Sequence, residues 1–159
     1  MERYEILAQI INDTGFKNIA EIGVKGGRTT QYLLTNCNLN QYFLVDCVQS
    51  EELYRSLYGD RVSFMCMTSA DAVKFIKDGC LDLVFIDADH SYEHCLEDLE
   101  LWFPKVKVGG IICGHDYQNP IHQGVERAVK KFFGEKPIIT YGDDSYMFAY
   151  TKGEQDANG

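Results

Sequence analysis

Acids and histidines that follow short apolar runs are the residues of this sequence best suited to chemistry. Glu21 and Asp46 each end such a run, and the stretches "FIDADH" and "GHDY" place further acids and histidines after two later runs. Crowded carboxylates repel one another, so a chain that gathers them usually binds a cation or a ligand rich in hydroxyls and amines. The polar residues at these run ends are Glu21, Asp46, Ser69, Asp71, Asp87, Asp89, His90, His115 and Asp116.

Three glycines follow Glu21 in the motif "AEIGVKGGRTT". Glycine allows a tight turn and a close approach of the backbone to a ligand, and the helix predicted after the turn presents free N–H groups there. The spacing is G-x-x-G-G, whereas dinucleotide sites have G-x-G-x-x-G. A carboxylate at Glu21 repels a pyrophosphate and attracts an ammonium group, and Asp46 suits a ribose diol. The pair therefore favours a nucleoside that carries an amino-acid cation over NAD.

Alternating helical and strand-like segments predict the framework that positions these residues. The alternation indicates a mostly parallel sheet with helices on both faces, and Gly142-Asp143-Asp144 indicates a closing antiparallel hairpin. The predicted fold class is α/β, a Rossmann-like doubly wound sheet of seven strands, whose ligands bind at the carboxyl ends of the strands. Helices are predicted over residues 3–14, 27–36, 50–59, 69–79, 91–103 and 119–134, and strands over 17–24, 41–48, 61–67, 81–89, 109–117, 137–142 and 145–151.

Composition limits the classes of partner. The chain has 159 residues, of which 45% are hydrophobic, and a formal net charge of −9. We therefore expect one globular domain over residues 1–151 with a frayed polar tail over 152–159, and no nucleic acid or membrane as partner. The first residues resemble a helix more than a signal peptide, so we expect a cytoplasmic protein. The six cysteines lack zinc-site spacing and are expected to be buried and reduced.

The motif "AEIGVKGGRTT" resembles the first motif of class I S-adenosylmethionine-dependent methyltransferases. The segment "LDLVFIDADHSYEHCLEDLELWFPKVKVGGIICGHDY" is similar to the small metal-dependent O-methyltransferases, a set that includes catechol-type enzymes and sugar O-methyltransferases of antibiotic pathways. The resemblance extends from about residue 16 to residue 151. It implies an enzyme that transfers a methyl group from S-adenosylmethionine to a hydroxyl oxygen of a small molecule.

The resemblance also implies which residues bind the cofactor. Glu21 and the turn between Gly23 and Gly27 would face its methionine part. Thr29 would hydrogen-bond its carboxylate, and Asp46 would bind the ribose hydroxyls. The remaining implied contacts are Ser69 and Ala70, against the adenine, and Asp87, close to the cofactor and bound to a metal.

The resembled enzymes hold a divalent ion with an acid after the fourth strand and two adjacent residues after the fifth. Those positions are Asp87, His115 and Asp116 here, a set that suits Mg²⁺, Mn²⁺ or a heavier divalent ion. The family more often has Asp-Asn or Glu-Asp at the adjacent pair, so His115 can alternatively pack beside the ligands without binding an ion. His90 occupies the position of the family's general base, a task that suits imidazole near neutral pH, although it can alternatively cap the next helix. His122 can face the acceptor.

The implied mechanism is a direct displacement. The metal would bind two neighbouring oxygens of the acceptor, His90 would take the proton, and the oxygen would attack the sulfonium methyl in line. One alternative is a nicotinamide-dependent oxidoreductase, against which Glu21 and the missing G-x-G-x-x-G argue. Another is a non-catalytic module that senses the cofactor. Since one predicted helix precedes the first strand, a second subunit can cover the acceptor site, which makes a homodimer possible.

Overall fold

The computed structural model describes residues 1–48, 59–141 and 146–157. Within this part of the chain the strands are β1 Asn18–Ile22, β2 Gln41–Asp46, β3 Val62–Cys66, β4 Leu81–Ile86, β5 Val106–Gly114, β6 Ile139–Tyr141 and β7 Met147–Thr151. They form one sheet in the order β3-β2-β1-β4-β5-β7-β6. Neighbours from β3 to β5 are parallel, and β7 is antiparallel to both β5 and β6. The predicted mostly parallel seven-stranded sheet is confirmed.

Local signals explain where the helices begin and end. The α-helices in the described part of the chain are α1 Arg3–Thr14, α2 Arg28–Asn36, α3 Ser69–Ala72, α4 Tyr92–Trp102 and α5 Gln123–Phe133. α1 ends at Gly15, whose φ of 72° forms a left-handed C-cap. The Ser91 hydroxyl accepts a hydrogen bond from the His94 N–H at the start of α4, so Ser91 caps this helix and His90 does not. No helix among the described residues is both long enough and apolar enough to cross a membrane.

Two apolar clusters cover the two faces of the sheet. Leu7 of α1 and Leu33 of α2 pack in one cluster with Leu83 of β4. Leu99 of α4 packs in the other cluster with Val84, the next residue of β4. Successive residues of β4 therefore point to opposite covered faces, which explains why all six of its residues are buried.

Two predicted helices are shorter than expected. The segment predicted as a helix over residues 69–79 forms α3 and then a 3₁₀ turn at Val73–Phe75. The helix predicted from Asn119 begins at Gln123, because the Asn119 side chain bonds Asp116 and the backbone N–H of Ile121 instead of capping α5.

Other differences concern boundaries. β5 runs over Val106–Gly114, earlier than the strand predicted over residues 109–117. The helix predicted over residues 50–59 lies outside the described residues apart from Gly59, and so do residues 142–144 of the predicted hairpin turn.

Residues 152–157 pack against the domain. Lys152 is 7% exposed, and its ammonium group donates hydrogen bonds to the carbonyl oxygens of Phe103 and Val106. The Asp156 carboxylate accepts hydrogen bonds from the Tyr150 hydroxyl and the Gly153 N–H. The prediction of a frayed tail is wrong for these residues, because polar side chains find backbone partners that the sequence pattern does not show.

The cysteines divide into two groups. All six are free; Cys37, Cys95 and Cys113 are buried, whereas the other three are exposed. The prediction of burial is therefore wrong for half of them. The exposed ones lie at strand boundaries and not within the apolar runs: Cys47 follows β2, Cys66 ends β3 and Cys80 precedes β4.

Candidate functional site

A cavity of about 760 Å³ lies at the carboxyl ends of the parallel strands. It is centred on β1 and β4, where the chain crosses from one half of the sheet to the other, the usual ligand position in such folds. The predicted site residues that line it are Glu21, Gly23, Thr29, Asp46, Ser69, Asp87, Asp89, His90, His115 and Asp116. The fold thus brings most of the predicted site to one cavity.

Three residues that the sequence placed at this rim do not line the cavity. Gly27 has a φ of 70° and forms the N-cap of α2, and Ala70 lies within α3. Asp71 bonds Thr68 and Lys74 at the start of α3. The expectation that Asp71 joins the rim is wrong, because this short helix uses its carboxylate locally. Ligand contacts of Gly27 and Ala70 stay predictions.

Gly23 is needed for contact between two loops of the protein. Its φ is 88°, and a Cβ at this position would collide with the backbone of Asp87 and Ala88. Its N–H donates to the Val45 carbonyl oxygen at 2.9 Å. The structure shows that this glycine lets the loop after β4 approach β1. Its predicted approach to a ligand stays a prediction.

Glu21 is a buried acid at the floor of the cavity. It is 2% exposed, and its Oε2 accepts hydrogen bonds from the Thr30 and Tyr42 hydroxyls. Burial raises its pKa to about 7, although the two hydrogen bonds act in the opposite direction. Glu21 is therefore poised to change charge near neutral pH, and a cation in the cavity would favour the carboxylate.

Asp46 holds the glycine turn in place. Its Oδ2 accepts hydrogen bonds from the N–H groups of Val24 and Lys25, both at 2.8 Å, and its Oδ1 accepts one from Val48 at 2.9 Å. Burial opposes ionisation, but the backbone N–H groups outweigh it, so the pKa of Asp46 lies below its ordinary value. Asp46 is thus a fixed negative charge that shapes the loop around the cavity.

Histidines and acids alternate at the opposite end of the cavity, after β4 and β5. The Asp116 Oδ2 lies 2.9 Å from His115 Nδ1 and 2.8 Å from His90 Nε2. His115 Nδ1 also lies 3.5 Å from the Asp87 Oδ1. The three predicted metal ligands therefore come together, with donor atoms within 4.8 Å of one another.

The two acids beside His115 favour its positively charged form. Burial opposes protonation, but hydrogen bonds and charge from Asp116 and Asp87 outweigh it and raise the pKa of His115 to about 9. Burial raises the pKa of Asp116, but the hydrogen bond and the positive charge of His115 outweigh this effect. The pKa of Asp116 therefore lies well below its usual range. An ion bound here would have to replace the His115 proton.

Residues 20–117 match the family model described as the methyltransferase domain. This range covers more than half of the chain and contains every residue predicted to bind the cofactor or a metal. The chain belongs to the methyltransferase domain family. The predicted family is thereby confirmed, and apart from Arg3 the residues that line the cavity of this methyltransferase lie in the matched region.

One curated relative is an uncharacterised protein of Acanthamoeba polyphaga mimivirus. It is 28% identical over an alignment of 113 residues, and the match covers 62% of this chain and 51% of the viral protein. The match thus spans about half the length of that relative.

Solved structures share the fold of the methyltransferase. The O-methyltransferase NovP superposes with a TM-score of 0.77 at 19% identity, over 96% of this chain and 80% of NovP. An O-methyltransferase of Bacillus cereus in complex with SAH gives 0.71 at 22% identity, over 94% and 80%. TomG of Streptomyces achromogenes, involved in tomaymycin synthesis and in complex with SAM, gives 0.72 at 16% identity, over 95% and 80%. At these identities the similarity establishes the fold.

Arg3 is a cavity residue of the methyltransferase that sequence reasoning missed. It extends from the start of α1, and its Nε lies 3.3 Å from the Asp87 Oδ2. This Nε is buried and makes no hydrogen bond to the described residues. Nothing in the sequence signals this contact, because Arg3 is far from Asp87 along the chain and sits in an ordinary amphipathic segment.

Tyr42 and Met67 were missed as well. Tyr42 lies inside β2 and reaches Glu21 on the neighbouring strand; the register of two strands was needed to find it. Met67 and Cys47 line the β2–β3 side of the cavity beside Ser69, and the Ser69 hydroxyl accepts a hydrogen bond from the Trp102 indole at 2.6 Å. Cys47 and Met67 each directly follow a strand, and this position was the sequence signal that could have identified them as cavity residues.

Proposed function

We propose that this methyltransferase transfers a methyl group from S-adenosylmethionine to a hydroxyl oxygen of a small molecule. One observation carries the proposal: Glu21 and Asp46 flank the glycine turn inside the cavity at the crossover between β1 and β4. A buried acid and a fixed acid suit a ligand with an ammonium group and a ribose diol. The O-methyltransferases with the same fold, two of them with SAM or SAH bound, support it.

The cofactor would lie along the β1–β3 side of the cavity. Its ammonium group would meet Glu21, whose burial makes a cationic partner favourable. Its carboxylate would meet Thr29 near the start of α2, where backbone N–H groups favour anions. Asp46 would accept hydrogen bonds from the ribose, and Ser69 and Met67 would lie against the adenine.

Asp87, His115 and Asp116 fit a divalent ion, because two carboxylates and an imidazole are an adequate donor set for Mg²⁺ or Mn²⁺. Such an ion would make an acceptor hydroxyl more acidic. The chain already accommodates positive charge here, since Asp87 faces Arg3 and His115.

His90 is the proposed proton acceptor. Its side chain is 34% exposed and its Nε2 faces the carboxylates of Asp116 and Asp87, at 2.8 Å and 3.8 Å. A proton taken from the acceptor would leave the imidazole positively charged beside these two carboxylates. The net charge of −9 favours a small-molecule acceptor over nucleic acid.

The test is calorimetric titration with S-adenosylhomocysteine, with and without Mg²⁺ or Mn²⁺. We expect micromolar-range binding in the wild type and in Asp71→Asn, a control outside the cavity. Asp46→Ala should lose it. A screen of catechols and sugar diols with labelled S-adenosylmethionine then identifies the acceptor. Absence of binding under every metal condition overturns the proposal, and binding of NADH instead would indicate an oxidoreductase.

A further inference from the structure

A second group of potential metal ligands lies beside the predicted metal site. His90, Asp116 and His122 each offer one donor atom, and these atoms lie within 4.8 Å of one another. We infer that these three residues form a second cation site, which takes a borderline transition metal such as Zn²⁺, Ni²⁺ or Co²⁺. It shares Asp116 with the set of Asp87 and His115.

The Nε2 atom of His90 lies close to a carboxylate but lacks a hydrogen bond to the residues that the structure describes. This buried nitrogen lies 2.8 Å from the Asp116 Oδ2. The carboxylate oxygen therefore does not lie along the N–H direction of the ring, although the two atoms are close. A buried nitrogen without a partner is unfavourable, and an ion between the imidazole and the carboxylate would satisfy both.

The loop between β5 and α5 supplies a second argument, because it brings His122 to His90. The two imidazole rings stack with centroids 4.1 Å apart and planes inclined by 29°. The His122 N–H donates to the Asn119 carbonyl oxygen at 3.0 Å, and the Asn119 side chain donates to the Asp116 Oδ1 at 2.6 Å. The loop thus links His122 to the same carboxylate that faces His90.

Gly124 lets the start of α5 lie directly against residues 90–92. A Cβ at this position would collide with the backbone of residues 90–92, so only glycine allows this approach. His122 also precedes the regular helix, with φ −113° and ψ 52°. Zinc binds imidazole nitrogen at about 2.0–2.1 Å, so the His122 side chain would turn its donor nitrogen towards His90 and Asp116 when an ion binds.

The donor types distinguish the two sites. Two imidazoles and one carboxylate favour ions such as Zn²⁺, Ni²⁺ and Co²⁺. The neighbouring set has two carboxylates and one imidazole, which suits Mg²⁺ and Mn²⁺. Excess Mg²⁺ should therefore leave the second site free for Co²⁺.

Occupation of the second site would affect the proposed chemistry. The Nε2 of His90 cannot bind an ion and accept a proton at the same time. An ion at the second site therefore prevents His90 from accepting the proton. We expect Zn²⁺ to inhibit methyl transfer even when Mg²⁺ is present in excess. The site itself does not depend on the methyl-transfer proposal.

The experiment is a titration of the tag-free chain with Co²⁺ in excess Mg²⁺, followed by visible absorption. The variants are His122→Ala and His122→Phe, which keeps a ring against His90 without a donor nitrogen. His94→Ala is the control, since His94 is exposed and outside both donor sets. We expect one equivalent in the wild type and the control, and at least about tenfold weaker binding in both His122 variants, because even changes to residues that only orient ligands cost roughly 10- to 100-fold.

Three results would overturn the inference: Co²⁺ affinity unchanged by both His122 substitutions, no Co²⁺ binding by the wild type, or sulfur-to-cobalt charge-transfer bands that place the ion on cysteines. His115→Ala separates the sites and should retain the equivalent that depends on His122. Thermal unfolding checks that each variant is folded. Titration with S-adenosylhomocysteine in the same preparations tests the proposed function separately.

Discussion

The two ends of the cavity use their acids in different ways. At the β1–β2 end, Glu21 and Asp46 accept hydrogen bonds from the protein's own hydroxyl and backbone N–H groups. At the β4–β5 end, Asp87 and Asp116 face histidines and an arginine. At the first end, neutral donor groups hold the acids in place. At the second end, the acids face basic side chains, which a positively charged ligand or an ion can replace. Substitutions at the two ends should therefore have different consequences.

Gly23→Ala should have the largest effect, because it forces the β1 and β4 loops apart and places alanine at a positive φ. We expect a loss of about 3 kcal/mol or more in the free energy of unfolding, measured with urea. Gly26→Ala is the matched control, since no atom lies within 4 Å of its Cβ position, and should change stability by about 0.5 kcal/mol or less. Equal stabilities of the two variants would contradict this account of the turn.

Glu21→Gln tests the buried acid. The folded pKa of Glu21 is about 7, raised from 4.5, so the folded wild type keeps a proton that the unfolded chain releases between these values. The contribution of Glu21 to the free energy of unfolding is fully present below pH 4.5 and is lost as the pH rises to about 7. At about 1.4 kcal/mol per pKa unit, the loss is on the order of 3 kcal/mol.

Glutamine keeps an oxygen acceptor but does not titrate. The stability of Glu21→Gln relative to wild type should therefore rise by that amount between pH 5 and pH 8, in urea unfolding at both pH values. Other groups titrate equally in both proteins and cancel. A pH-independent difference would show that Glu21 ionises normally.

The affinity for S-adenosylhomocysteine should follow the charge of Glu21 if the proposed cofactor pose is correct. The ammonium group of the ligand binds the ionised form of Glu21 more tightly than the protonated form. The affinity should therefore increase about tenfold between pH 6 and pH 8, the change expected for one group with a pKa near 7. Calorimetry in buffers of different ionisation enthalpy should detect proton release at pH 6. The increase should be absent in Glu21→Gln, and a flat wild-type profile would place the ammonium group elsewhere.

Arg3→Met should have the smallest effect and acts at the other end of the cavity. Removal of the guanidinium 3.3 Å from Asp87 should tighten Mn²⁺ binding roughly 1.4- to fivefold, since partly exposed ion pairs are worth about 0.2–1 kcal/mol. Arg28→Met is the control, because Arg28 also lines the cavity but donates to the Tyr4 hydroxyl. Titration with Mn²⁺ measures both, and weaker binding in Arg3→Met would mean that Arg3 supports the ion.

Much of the fold and of the site could be predicted from sequence because the underlying signals are local. Short apolar runs placed the strands, and polar residues at strand ends pointed to the cavity. Predictions failed where a side chain found a distant or an unexpectedly local partner. Asn119 bonds Asp116 and not the start of α5, Asp71 bonds Lys74, and Lys152 is buried against carbonyl groups.

The amino-acid sequence is sufficient to predict the order of strands and helices along the chain, the family, and the acids and histidines that follow the strands. Four features become visible only in the folded chain: the raised pKa of Glu21, the backbone that Gly23 contacts, the approach of Arg3 to Asp87 and the stacking of His122 on His90. Periodicity is a property of neighbouring residues and is readable along the chain. Burial, charge pairing and backbone contact depend on atoms that the fold brings together from distant positions.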